Sequence, residues 1–278
     1  MPLPERDELP AARTVELPGR GTIPIIDTGP RDAPPLILLH ALACTGLLTW
    51  YPAVAALCER YRVIVFDQRW HGRGIRSRRF ELTECADDVV AVADALGISR
   101  FLIAGYSLGS LVAQLTWWQH PQRVAGLVLC ASARNFRGTL RERLVLDSYR
   151  VTVGCLPGIP GRPGSQRGPS TRNRHDVYDW AFTEFRSTSP CAIVGALAEI
   201  ARFDSSTWID WVDVPSAVVV NTRDRMIPTR RQRSLARHIP DATVHEVDGG
   251  HASCVLGAEP FVPALLEACA TVSARAEL

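Results

Sequence analysis

Apolar residues in this chain fall into short unbroken runs, separated by longer stretches in which apolar and polar positions recur at helical spacing. Pro35-Leu-Ile-Leu-Leu-His40, Arg62-Val-Ile-Val-Phe-Asp67 and Phe101-Leu-Ile-Ala104 are three such runs, and Val124–Cys130, Ala217–Asn221 and Ala242–Val247 continue the series. A run of this length without alternation predicts a strand buried on both faces. Helical patterns lie between the runs, at about Tyr51–Arg60, Leu82–Leu96, Leu108–Gln119, Thr229–His238 and Pro260–Val272. Strands alternating with helices imply an α/β protein, a mostly parallel sheet flanked by helices on both faces. Thr14–Gly29, punctuated by Gly and Pro, predicts an antiparallel hairpin at the sheet edge.

The alternation fails between about Ala133 and Val212. Helical patterns near Leu140–Val153, Val177–Arg186 and Ala192–Phe203 come without a strand, and Gly154–Arg174, rich in Gly, Pro and Arg, predicts a mobile loop. The expected organisation is a core built from 1–132 and 213–278, with 133–212 inserted as a helical cap.

Composition narrows the partners. With 278 residues, 46% apolar and 22% charged, the chain can bury a large core, which argues against disorder. Net charge is only +2, so nothing points to nucleic acid or an anionic membrane as partner. All 31 cationic residues are arginine, scattered rather than striped. No apolar run is long enough to span a membrane, and Met1-Pro-Leu-Pro-Glu-Arg-Asp-Glu8 lacks the basic and apolar regions of a secretory signal. The eight cysteines are irregularly spaced with no C-x-x-C pair, which suits free buried thiols in a reducing, cytoplasmic setting. No metal and no cofactor is expected. The oligomeric state is left open.

Chemistry concentrates where strands end. In a parallel sheet, ligands bind beyond the carboxyl ends of the strands. There the chain places His40-Ala-Leu42, Asp67, Ser107, Asn221-Thr-Arg-Asp224 and Asp248-Gly-Gly-His251. Ser107 sits in Gly105-Tyr-Ser-Leu-Gly109, a G-x-S-x-G run between a strand and a helix. A serine hydroxyl becomes a competent nucleophile when a sharp turn lifts it clear and a base takes its proton. Ser107, Asp224 and His251 follow in the order Ser…Asp…His that accompanies such an elbow. Asp248, Asp204, Asp210 and Asp213 compete for the acid role, but Asp224 alone directly follows a buried strand and precedes a proline-started helix. Asp67 and Arg69 are expected to pin a turn, and His40 to support the loop after the first central strand.

From about Pro35 to Ala270 the chain resembles the α/β-hydrolase family, in its cap-bearing serine esterase and lactonase branch. The resemblance rests on His40-Ala-Leu before Trp50, Asp67-Gln-Arg-Trp-His-Gly72, Gly105–Gly109, Asp224-Arg-Met-Ile-Pro228 and Gly249-Gly-His251. It implies Ser107 as nucleophile, His251 as general base and acid, Asp224 as the orienting acid, and an acyl-enzyme intermediate. The backbone N–H of Leu108 and, by resemblance, that of Leu42 would form the oxyanion hole. Trp70, His71, Tyr106 and Met226 are candidates for substrate contact. Three positions depart from the family pattern: Ala41 and Trp70 stand where glycines are usual, as does Ser110 after Gly109.

Serine at the elbow leaves esters, lactones, thioesters, amides and activated carbon–carbon bonds. The aromatics Trp180, Phe182, Phe185, Phe203, Trp208 and Trp211 at helical spacing belong more often to a cap core than to a pocket wall, and a mostly apolar pocket between cap and sheet is the default. The expected partner is therefore a small apolar acyl ester or lactone. Acyl transfer, thioester or C–C hydrolysis and cofactor-free perhydrolysis are the enzymatic alternatives. A small-molecule receptor of the same fold is the non-enzymatic one.

Overall fold

The computed structural model describes residues 11–136 and 174–278. Eight strands form one sheet: β1 (Arg13–Leu17), β2 (Gly21–Thr28), β3 (Pro35–Leu39), β4 (Arg62–Phe66), β5 (Phe101–Tyr106), β6 (Val124–Cys130), β7 (Ser216–Asn221) and β8 (Thr243–Val247). Their spatial order is β1-β2-β4-β3-β5-β6-β7-β8. Strands β3 to β8 pair in parallel, and β2 pairs antiparallel with both β1 and β4. Every apolar run of the sequence became a strand, and Thr14–Gly29 became the edge hairpin.

Alternate residues of each strand serve opposite faces, so the continuous runs feed two cores. Ile37, Leu39, Ile103, Leu127 and Val218 pack with helices α2 (Leu82–Ala95), α3 (Leu108–Gln119) and α6 (Thr229–His238). Leu36, Leu38, Leu102, Val128 and Val219 pack instead with α1 (Gly46–Cys58) and α8 (Ala258–Ser273). A four-residue helix, α7 (Ser253–Leu256), precedes α8. The elongated apolar runs are thus explained by burial on both sides rather than by one.

One helix boundary differs from the sequence expectation. The helical pattern begins at about Tyr51, yet α1 begins at Gly46, five residues earlier, with Pro52 inside it. Thr45 caps it, its hydroxyl accepting the Leu48 N–H at 3.1 Å, and Leu48 and Trp50 are buried in this extra turn. Capping and burial together outweigh the hydrogen bond that proline cannot make.

Between β6 and β7 lie α4 (Arg174–Arg186) and α5 (Pro190–Arg202). The helical pattern at Leu140–Val153 and most of the loop expected at Gly154–Arg174 fall outside the described residues. Ser189 caps α5 by accepting the Ala192 N–H. Both helices sit on the loops that follow β3 and β4. Trp180 meets Tyr51 edge to face at 5.3 Å, Thr45 donates to Glu184 at 2.7 Å, and Gly72 N–H donates to the Thr188 hydroxyl at 3.3 Å. A Cβ on Gly195 would come within 2.8 Å of the Trp70 ring, so α5 crosses that indole at its one side-chain-free position.

The aromatics of this region divide. Trp180, Phe203 and Trp208 are buried, whereas Phe182, Phe185 and Trp211 are exposed. Cys85, Cys130, Cys254 and Cys269 are buried free thiols, and burial pushes Cys269 up to about 12. Such thiols stay protonated and unreactive. No helix among the described residues is long and apolar enough to cross a membrane.

Candidate active site

The order of strand addition reverses at β3: from β3 the chain crosses to β4 on one side, and β5 then adds on the other. Loops diverge at such a switch point and leave a crevice at the strand ends. Ser107 stands at this point, directly after β5.

Its backbone has φ 51° and ψ −111°, a left-handed conformation for a residue with a side chain. That costs roughly 1–3 kcal/mol and is held by its surroundings. Ser107 N–H donates to Cys130 O at 2.9 Å, and the Ser110 hydroxyl bonds the carbonyls of Gly105 and Cys130. The elbow glycines are required for space, not for positive φ. A Cβ on Gly105 would lie 2.3 Å from Gly109 O, and one on Gly109 would lie 2.2 Å from Leu39 O. Strand β5, helix α3 and strand β3 therefore approach closer than any side chain permits. Ser110, where the family pattern has glycine, is used as an internal tie.

Ser107, His251 and Asp224, 144 and 27 residues apart along the chain, are brought into one hydrogen-bonded line. The Ser107 hydroxyl and His251 Nε2 are 3.0 Å apart, and His251 Nδ1 and Asp224 Oδ2 are 2.7 Å apart. The Asp224 carboxylate is fully buried and saturated with donors. Oδ1 accepts from the Met226 and Ile227 amides at 2.8 and 2.9 Å, and Oδ2 accepts from Gln232 at 3.1 Å as well as from His251. A carboxylate so surrounded keeps one orientation, and its lone pair fixes the imidazole with hydrogen on Nδ1. Asp248 is exposed and paired with Arg223, Asp213 accepts from Trp117, and Asp204 accepts from the Ser206 amide. None of these three takes the position beside His251.

Leu42 follows β3 by three residues and Leu108 opens α3. Neither backbone N–H donates to an acceptor among the described residues. The N-terminal turn of α3 adds its dipole, which favours negative charge beside Ser107. The loop carrying Leu42 is held by His40. His40 Nδ1 donates to Ala41 O, Nε2 accepts the Gln68 N–H, and Gln68 returns a bond to His40 O, each at 2.8 Å. Burial lowers the His40 pKa, in keeping with a neutral ring that both donates and accepts. Ala41 does not need a glycine-like conformation; the left-handed residue of this turn is Ala43, at φ 62°.

The four candidates for substrate contact take other places. Tyr106 and His71, both candidates for substrate contact, are fully buried. Tyr106 points beneath the site, where its hydroxyl bonds His251 O. His71 donates from Nδ1 to Arg69 O and packs on His40 and Phe80. Trp70 adopts φ 66° and donates to Ser77, its ring lying against Phe80 and α5. Met226 is 73% exposed, and it is its backbone amide that meets the site. Asp67 and Arg69 pin their turn as expected, Asp67 by accepting from the Gly46 and Arg73 amides and Arg69 by gripping Asp88. Gln232 and Asn221 were not singled out by the sequence; a glutamine on an exposed-looking helix carries no signal of its own.

His71 carries a pH consequence. Burial, with the neighbouring His40 and Arg76, pushes its pKa down to about 3, against about 6.5 in an unfolded chain. Between those values the unfolded state binds a proton that the fold does not, so stability falls as pH drops from about 6.5 towards 3. Melting temperature measured across this range should fall more steeply for the native protein than for His71→Phe. Equal slopes would show that His71 does not carry this acid sensitivity.

A family model described as alpha/beta hydrolase fold matches residues 34–149. The putative carbamate hydrolase RutD of Variovorax paradoxus is 31% identical over 261 residues, covering 88% of this chain and 95% of that protein. The magnesium-chelatase 30 kDa subunit of Rhodobacter capsulatus is 29% identical over 242 residues, covering 82% of this chain and 84% of its own. Among solved structures, a hydrolase from Pseudomonas aeruginosa PA01 superposes with a TM-score of 0.77 at 21% identity, over 93% of this chain and 98% of its own. An enol-lactonase from Burkholderia xenovorans LB400 gives 0.74 at 22% identity, over 90% and 96%. These structural likenesses speak for the fold. Sheet order, elbow geometry and sequence similarity agree, and the chain belongs to the α/β-hydrolase family.

Proposed function

We propose that this protein is a serine hydrolase that cleaves a carboxylic ester or lactone through an acyl-enzyme intermediate. The observation that carries the reading is the unbroken line Ser107–His251–Asp224, at 3.0 and 2.7 Å. Ser107 Oγ attacks the acyl carbonyl as His251 Nε2 takes its proton. The tetrahedral oxyanion is met by the N–H groups of Leu42 and Leu108, each such donor contributing about 3 kcal/mol in the transition state. Collapse expels the alkoxide, which takes the proton from His251. Water, deprotonated by the same ring, then attacks the acyl-serine and releases acid and enzyme. Asp224 stays ionised throughout and stabilises the imidazolium.

Residues 133–212 act as the cap in this reading, with 1–132 and 213–278 as the core. The contacts of α4 and α5 with Tyr51, Thr45, Gly72 and Trp70 support a cap seated over the strand ends. A cap of that kind excludes water and favours a small apolar acyl group. A carbamate is the second reading, because the 31% identical relative bears the name of a putative carbamate hydrolase. Its carbonyl offers Ser107 the same electrophile.

Stopped-flow mixing with p-nitrophenyl acetate, butyrate and a carbamate analogue tests both readings. An acyl-enzyme pathway with slow deacylation gives a burst of one p-nitrophenol per chain, followed by steady turnover. No release from any of the three by folded protein would contradict the proposal.

A further inference from the structure

Tyr106 precedes the nucleophile, and its side chain reaches across the sheet to the loop that bears the base. Its hydroxyl lies 2.9 Å from His251 O and 2.7 Å from Asn221 Nδ2. Asn221 Nδ2 also lies 2.9 Å from Gly250 O. Because a carbonyl can only accept, Asn221 must present its NH2 to Gly250, and the same group donates to Tyr106. Tyr106 then has its single proton free for His251 O. The order of donors is therefore fixed in one direction, Asn221 to Tyr106 to His251. Asn221 Oδ1 is buried with no partner among the described residues, a cost that accompanies keeping Nδ2 in place.

The two accepting carbonyls belong to the peptide units on either side of the His251 Cα. Fixing both planes fixes the backbone angles of His251 and hence the direction of its Cα–Cβ bond. The other end of the strut is joined covalently to Ser107. Asn221 is tied to the acid as well, since its N–H donates to Gln232 Oε1 at 2.9 Å while Gln232 Nε2 reaches Asp224 Oδ2. Burial raises the Tyr106 pKa, which keeps the hydroxyl protonated and able to donate.

We propose that Tyr106 and Asn221 are positioning residues, a hydrogen-bonded strut that sets the approach of His251 to Ser107. The inference rests on the serine hydrolase reading for its kinetic consequence but not for its geometry. Displacements of about 1 Å at a reacting group can cost on the order of 100-fold in rate. Tyr106→Phe keeps the ring packed on Trp50 and Phe261 and removes only the hydroxyl. Asn221→Leu removes the Nδ2 bonds, and Oδ1 makes none among the described residues.

Each variant should lower kcat by about 10- to 100-fold with KM within about twofold. The double variant should be no slower than the slower single one, as members of one unit behave. A second readout does not depend on turnover. The proton NMR signal of His251 Nδ1–H, moved downfield by Asp224, should be sharp in the native protein and broadened or lost in both variants. A native protein inert towards esters would contradict the hydrolase reading, and the NMR signal would still judge the strut. Folded Tyr106→Phe and Asn221→Leu proteins with native kcat and an unchanged signal would overturn it, even if their melting temperatures fell.

Discussion

Ser107→Ala is expected to lower kcat by about 10⁶-fold, the scale seen when a triad nucleophile is removed, while the protein stays folded. Alanine keeps the Cβ, the left-handed backbone and the N–H bond to Cys130. What it removes is Oγ, the partner of His251 Nε2 and, in the proposed mechanism, the atom that forms the acyl bond. Residual rate above that of water would come from the amides of Leu42 and Leu108 and from substrate binding. Steady-state kinetics beside a thermal melt separate the two effects. Activity within tenfold of native would place the nucleophile elsewhere.

The second large effect concerns the acid. Asp224→Asn should reduce kcat by up to about 10⁴-fold, and the geometry states why. Oδ1 accepts two backbone amides, so the carbonyl oxygen of an asparagine must take that place. Its NH2 then faces His251 Nδ1 and the NH2 of Gln232. The imidazole would be forced to carry hydrogen on Nε2, and no lone pair would remain for the Ser107 proton. Asp248→Asn alters only an exposed pair with Arg223 and should leave kcat within about twofold. The reverse outcome, a large loss for Asp248→Asn and none for Asp224→Asn, would reassign the acid.

Much of the fold could be read from the chain because parallel strands buried on both faces leave continuous apolar runs. Leu36–Leu39 and Val63–Phe66 need no partner information to be recognised. The proximity of Ser107, Asp224 and His251 was legible for a related reason: strand ends in this fold point to one rim, so local context implies long-range proximity. The start of α1 differs from the pattern because the Thr45 cap and the burial of Leu48 and Trp50 extend the helix by a turn that periodicity alone does not mark. Tyr106 adjoins Ser107 in sequence, yet neighbours along an elbow point in different directions. Its partners Asn221 and His251 lie 115 and 145 residues away. Gln232 was invisible for the same reason, as its role exists only once α6 packs beside the Asp224 loop. At Trp70 the chain accepts a left-handed backbone where glycine is usual, and the indole supplies the surface on which Gly195 of α5 rests. A single sequence shows the unusual residue there but not what lies across from it.

The central claim is that Ser107 is the activated nucleophile. Incubation with a fluorophosphonate probe, followed by peptide mass spectrometry, tests it most directly. The account predicts one adduct per chain on the peptide bearing Ser107, slowed by orders of magnitude in Asp224→Asn. A folded protein that takes up no probe, or takes it up at another residue with Ser107 unmodified, would contradict it.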